Sequence, residues 1–132
     1  LRFQRSVMMH QELIKKAKTV LGEFQLAKQG FSAGTVSCAL MTNAGTIYTG
    51  ICLDLACGIG FCAEHAAIAE MLKARETVID YIVAVNLKKI LMPCGRCREL
   101  MVQVSKENLK TRVIVDDTSY RVLSDLLPHH WM

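Results

Sequence analysis

Apolar residues recur at helical spacing through Leu13, Ile14, Ala17, Val20, Leu21 and Phe24, with lysines set between them. The pattern predicts a helix from about Gln11 to Ala27, ended near Gly30, with its lysines on a solvated face. Met8, Met9 and His10 precede it, and His10 is expected at the surface. The apolar run Thr35–Met41 lies between Gly34 and Asn43, and Thr46–Leu53 follows after Asn43-Ala44-Gly45. Two such runs joined by three residues that include Gly read as a β-hairpin. Residues 54–61 have no clear period and lead directly into Cys62, so this loop is expected at the mouth of a site.

From Cys62 to about Arg75 the chain is rich in good helix formers. Tyr81–Val85 reads as a short buried strand, with Leu87–Met92 as a link. Pro93 suits the first turn of another helix. Cys94 and Cys97 then stack one turn apart, and Leu100, Met101 and Val104 continue an apolar stripe. Arg112–Val115 and Tyr120–Leu123 are the last two strands. Their four-residue link is too short for a parallel crossover, so they are expected to pair antiparallel. The order α-β-β-α-β-α-β-β predicts a mixed sheet covered by helices.

At 132 residues the chain is read as one domain, 1–132, with residues 1–10 as an extended N-terminal segment. It is 52% hydrophobic but only 6% aromatic, so the core is expected to be aliphatic. No apolar run reaches the length of a membrane span, which argues against a membrane partner. The net charge of +4 is spread along the chain, which argues against a nucleic-acid partner. Of six cysteines, three lie in metal spacing, and Cys38, Cys52 and Cys57 sit in or beside apolar segments. That usage fits a reducing cytoplasm better than a disulfide scaffold.

The candidate chemistry lies in Cys62-Ala63-Glu64 and Pro93-Cys94-Gly95-Arg96-Cys97. A pair of cysteines two residues apart turns both sulfurs toward one cation, and Cys62 closes the set from a remote segment. Three protein ligands leave the fourth tetrahedral position of Zn²⁺ open, which separates a catalytic zinc from a structural one. The competing reading is a structural knot, for which Cys57 is the stronger rival fourth ligand and Cys52 the weaker. Zinc lowers the pKa of a bound water, and a carboxylate beside that water, here Glu64, carries its proton. Pro-Cys-x-x-Cys with an upstream ligand-x-Glu is the signature of zinc deaminases.

At these residues the chain resembles the cytidine deaminase family, which includes blasticidin S deaminases. The family's Cys-Ala-Glu stands as Cys62-Ala63-Glu64, and its Pro-Cys-Gly-x-Cys-Arg as Pro93 to Arg98. Cys as the first ligand resembles the branch acting on free nucleosides. Phe31-Ser32 with Val36–Leu40 is similar to the family's first strand, Gly45–Gly50 to its second, and Asp125–Pro128 to its closing segment.

The resemblance implies a three-layer α/β/α sandwich with a mixed five-stranded sheet whose last two strands are antiparallel. It implies Zn²⁺ on Cys62, Cys94 and Cys97, Glu64 as proton shuttle, and hydrolytic deamination at C4 of a cytosine ring. Cytidine, deoxycytidine and an analogue such as blasticidin S are the implied substrates. Backbone groups of Pro93 and of Ala63 or Cys94 are implied contacts to the base. A homotetramer with sites completed across subunits is implied as well.

Several positions depart from the family pattern. Cys52 and Asp54 stand where the family carries Asn-x-Glu for the ribose, and Gly34 replaces an aromatic, which would enlarge the pocket. His65 stands where many members carry Arg, so Arg96 and Arg98 become candidates to neutralise the thiolates, with a solvated helix face as the alternative. Trp131, in a divergent tail, is a candidate to stack on substrate or cap a neighbouring site, while His129 and His130 read as a flexible end. The contrasting function is a zinc-stabilised interaction module without catalysis, against which Glu64 argues: a structural site has no use for a non-ligand carboxylate there.

Overall fold

The computed structural model describes residues 1–132. In chain order its elements are α1 (Arg2–Val20), β1 (Phe24–Gln25), β2 (Ser32–Thr42), β3 (Ile47–Asp54), α2 (Ala63–Lys73), β4 (Ile79–Val85), β5 (Ile90–Leu91) and α3 (Gly95–Val104). A 3₁₀ turn over Lys106–Lys110, β6 (Arg112–Ile114), β7 (Tyr120–Val122) and α4 (Leu123–Leu126) complete it. The sheet is mixed. β2 pairs antiparallel with β3 and β4, β4 runs parallel to β6, and β6 pairs antiparallel with β7. The five expected strands and the antiparallel last pair are therefore present. Two-residue strands are added: β1 pairs the start of β2, and β5 pairs the end of β4.

The period of two along each central strand divides the core. Cys38 and Leu40 of β2 and Ile82 of β4 face α2 and α3, meeting Ile68, Met71 and Met101. Their neighbours Ala39, Met41, Tyr81 and Val83 face Leu13, Ile14 and Ala17 of α1. The result is three layers, with one helix on one face and two on the other. No helix is long and apolar enough to cross a membrane.

The first helix lies further toward the N-terminus than its apolar spacing indicates, covering Arg2–Val20 instead of Gln11–Ala27. Sheet pairing claims the later residues: the Gly22 N–H donates to the Gly34 carbonyl at 3.0 Å, and Phe24 and Gln25 pair with Ala33 and Ser32. At the other end the helix takes in residues 2–10, so they are not the extended segment that the sequence suggests, and His10 among them is fully buried and not at the surface. Its ring packs edge-on against Tyr81 and Tyr120, Nδ1 donates to the Asp116 carbonyl at 3.1 Å, and the Ser6 hydroxyl lies 3.3 Å from Nε2. A buried histidine with both nitrogens satisfied costs little.

Two details, one polar and one steric, hold the layer that carries the site. Buried Asn108 accepts the Ile79 N–H at 2.8 Å and donates to the carbonyls of Thr77 and Met101 at 3.0 and 2.9 Å, tying β4 to the end of α3. Gly50 of β3 faces the first turns of α2 so closely that a Cβ would stand 2.4 Å from the Ala67 nitrogen and 2.7 Å from the Ala63 oxygen. A glycine inside a strand marks such a close backbone approach.

Candidate active site

Two helix N-termini converge on three sulfurs. Cys62 is the N-cap of α2, Cys94 is the N-cap of α3, and Cys97 lies in the first turn of α3. Pro93 thus sits just ahead of the cap and not in the first helical turn. The Cys62 and Cys94 sulfurs are 3.6 Å apart, those of Cys94 and Cys97 are 3.5 Å apart, and all three lie within 4.8 Å of one another. Zn–S bonds of about 2.3 Å in a tetrahedron place sulfurs about 3.8 Å apart, so the cluster fits one zinc ion. Cys57, in the exposed loop before α2, is outside the cluster, as is Cys52.

The helix ends favour negative sulfur here, since unpaired N–H groups and the helix dipole point at it. At Cys94 burial pushes the thiol up, but the backbone N–H of Cys97, the neighbouring thiols and the N–H of Arg96 outweigh it and lower the thiol below its usual range. Cys62 is raised, chiefly by burial. Cys97 is raised furthest, by burial first and then by the charge of Glu64. Without a cation, three thiolates cannot coexist at this spacing; a dication is the natural complement.

Glu64 lies in the first turn of α2, 4% exposed, and lines a cleft of about 490 Å³ together with Cys62, Ala63 and Cys94. Burial lifts its carboxyl above the ordinary range, opposed only by its own backbone N–H. Arg96 stands at the same cleft, exposed. His65 is held below its usual range, first by burial and then by the Arg96 charge. Arg98 is bonded elsewhere: Nε donates to the Pro93 carbonyl at 2.7 Å and Nη1 to the Leu126 carbonyl at 2.8 Å, fastening the turn before α3 to α4.

The far end of the cleft is made by β2 and β3. Between the pairs Ala33–Leu53 and Ser37–Ile51 the register slips, so residues 34–36 stand opposite Cys52 alone. This bulge brings Thr35 to the cleft beside Cys52 and Asp54. The Val36 N–H donates to the Cys52 sulfur at 3.3 Å, and the Thr35 hydroxyl donates to Asp54 Oδ2 at 3.1 Å while lying 3.1 Å from that sulfur. Gly34 does not open the cleft, because its missing Cβ points at the Gly22 carbonyl oxygen, 2.1 Å away. Trp131 is 83% exposed and outside the cleft lining; its backbone N–H donates to Glu99 Oε1 at 2.6 Å, so the tail packs back on α3.

Sequence reasoning therefore finds the sulfur cluster and Glu64, and misses Thr35, which reads in the sequence as one more β-branched residue of an apolar run. Gly50 also goes unremarked there, although an isolated glycine within a strand run carries a signal.

The zinc-binding region of cytidine and deoxycytidylate deaminases matches residues 8–113 of this chain. A cytidine deaminase of Mycoplasma genitalium is 30% identical over 116 residues, 86% of this chain and 82% of that protein. The crystal structure of a cytidine deaminase from Burkholderia pseudomallei superposes with a TM-score of 0.71 at 27% identity, over 92% of this chain and 98% of that one. That of Mycobacterium tuberculosis shares the fold with a TM-score of 0.76 at 23% identity, over 92% and 96% of the two chains. With a match over most of its length and a three-sulfur site sized for zinc, the chain belongs to the cytidine and deoxycytidylate deaminase family of zinc-dependent hydrolases.

Proposed function

We propose that this protein removes the C4 amino group of a free cytosine nucleoside by hydrolysis, releasing ammonia. Cytidine and deoxycytidine are the first substrates to consider, and a cytosine nucleoside analogue such as blasticidin S belongs to the same class. The observation that carries the reading is Glu64: a buried carboxylate with no partner on another residue, lining the cleft two positions from a sulfur of the cluster. A structural metal site gives such a group nothing to do, whereas proton transfer needs it within reach of substrate.

Cys62, Cys94 and Cys97 would hold zinc, which when bound supplies a Lewis acid that makes water nucleophilic near neutral pH. Glu64 accepts the water's proton, delivers it to the ring nitrogen, and then assists departure of the amine. The Ala63 backbone at the cleft wall and the Pro93 carbonyl are assigned to the base. That carbonyl already accepts from Arg98, which fixes its direction and leaves a second lone pair for the ring amine. Arg96 and the two helix N-termini offset thiolate charge, and Arg98 contributes from behind the turn. Asp54 meets the sugar, where a carboxylate accepts from hydroxyls and repels phosphate, while Cys52, its sulfur already engaged by the Val36 N–H and Thr35, stands behind it and does not touch the substrate.

Exposed Trp131, Phe24, Ile59 and Leu87 supply apolar area for a homotetramer, in which Trp131 reaches a neighbouring site. Six unpaired thiols suit a reducing compartment such as the cytoplasm.

The test is ammonia release from cytidine, deoxycytidine and blasticidin S by the zinc-loaded protein, repeated after chelation and after zinc is restored. Turnover of at least one compound that is lost and regained with the metal supports the reading. Full zinc occupancy with no release from any compound would favour the non-catalytic module.

A further inference from the structure

We infer that Thr35 is the residue that positions Asp54 for a sugar hydroxyl, making the bulge in β2 the specificity element of the cleft. The inference rests on the deaminase reading above and adds to it a residue and a selected group.

Four groups form a directed chain at the far end of the cleft. The Val36 N–H donates to the Cys52 sulfur, that sulfur lies 3.1 Å from the Thr35 oxygen, and the Thr35 hydroxyl donates to Asp54 Oδ2. The single S–H proton of Cys52 faces both the Thr35 oxygen at 3.1 Å and Asp54 Oδ2 at 3.6 Å, and either choice leaves the Thr35 hydroxyl donating to Oδ2. Each bond in such a row strengthens the next. Cys52 is 6% exposed and its sulfur is already engaged from both sides, so it anchors the bulge and is not free for substrate.

Asp54 is exposed and lines the cleft, and both of its side-chain bonds go to Oδ2. Oδ1 has no partner within the chain and is held in place by the bonds to its twin oxygen. A carboxylate fixed on one oxygen and open on the other accepts from a hydroxyl donor. The bulge is what makes this possible: an unbroken ladder would place a single residue opposite Cys52, and Thr35 would lose its approach to Asp54.

The test uses initial rates of ammonia release with cytidine and with 2′,3′-dideoxycytidine, which lacks both sugar-ring hydroxyls. The proteins are wild type, T35V, T35S, D54A and T35V/D54A, each with its melting temperature. T35V is expected to raise KM for cytidine roughly five- to ten-fold, the range for loss of one ordinary intramolecular hydrogen bond, with kcat changed less than about two-fold. T35S restores the wild-type KM. With the dideoxynucleoside, T35V and wild type share one KM. In the D54A background T35V adds nothing, because Thr35 acts through Asp54. D54A alone must raise KM for cytidine only, a comparison that holds even where T35V is too unstable to assay. Equal KM changes for both nucleosides, or additive effects of T35V and D54A, would overturn the inference while leaving the deaminase reading intact. Absence of turnover by wild type with every cytosine nucleoside overturns both.

Discussion

Replacing Gly50 with alanine tests whether α2 is seated on β3 as described. The added methyl would stand 2.4 Å from the Ala67 nitrogen, 2.7 Å from the Ala63 oxygen and 2.7 Å from the Ala66 Cβ. Ordinary contacts between such atoms are about 3.5–4 Å, so the helix must retreat by about 1 Å. Two of the three atoms belong to the α2 backbone, so a rotamer change cannot relieve the clash. Overpacking of this kind costs about 1–3 kcal/mol, equivalent for a chain of this size to a fall in Tm of roughly 4–11 °C. The moving helix carries both Cys62 and Glu64, and a 1 Å misplacement of catalytic groups costs about 10²-fold in rate. The assay is a thermal melt, kcat with cytidine, and zinc retention against a chelator, each beside wild type. A Gly50→Ala protein with wild-type Tm, rate and zinc affinity would refute the seating of α2.

Asn108→Ala strands the buried Ile79 N–H and removes the bonds to the Thr77 and Met101 carbonyls, and is expected to cost about 2–4 kcal/mol in urea denaturation with an unchanged m-value. Asp116 tests electrostatics away from the site. Its carboxyl is lowered from 3.8 to about 2 by bonds from Ser119 and Thr118. Because the folded value lies below the unfolded one, the unfolded chain binds more protons in that window and stability rises with pH. The contribution is complete above about 4 and is lost as pH falls through about 2. Denaturation midpoints measured from pH 2 to 5 should show a shallower slope for Asp116→Asn than for wild type.

What the sequence discloses follows the range of the forces involved. The cysteine clusters are legible because metal spacing is a local property of the chain, and the antiparallel β6–β7 pair is legible because a four-residue link admits no other geometry. The hairpin of β2 and β3 is announced by Gly45 for the same reason. By contrast, α1 is misplaced because Gly22, Phe24 and Gln25 are taken by partners at residues 32–34, a pairing that periodicity does not report. His10 looks polar and therefore exposed until Tyr81 and Tyr120, distant in sequence, close around it. The same holds for Thr35, whose role depends on a register slip against Cys52, and for Gly34, whose empty side faces Gly22 and not the cleft.

The central claim is that Glu64 moves the proton beside a three-cysteine zinc site. It is tested most directly by Glu64→Gln, which keeps shape and hydrogen-bonding atoms but removes the acid. The account predicts one zinc per chain, an unchanged melting temperature within a few degrees, and a fall in kcat of about 10²–10⁴ at every pH tried. Near-wild-type ammonia release by this variant, with its zinc in place, would contradict it.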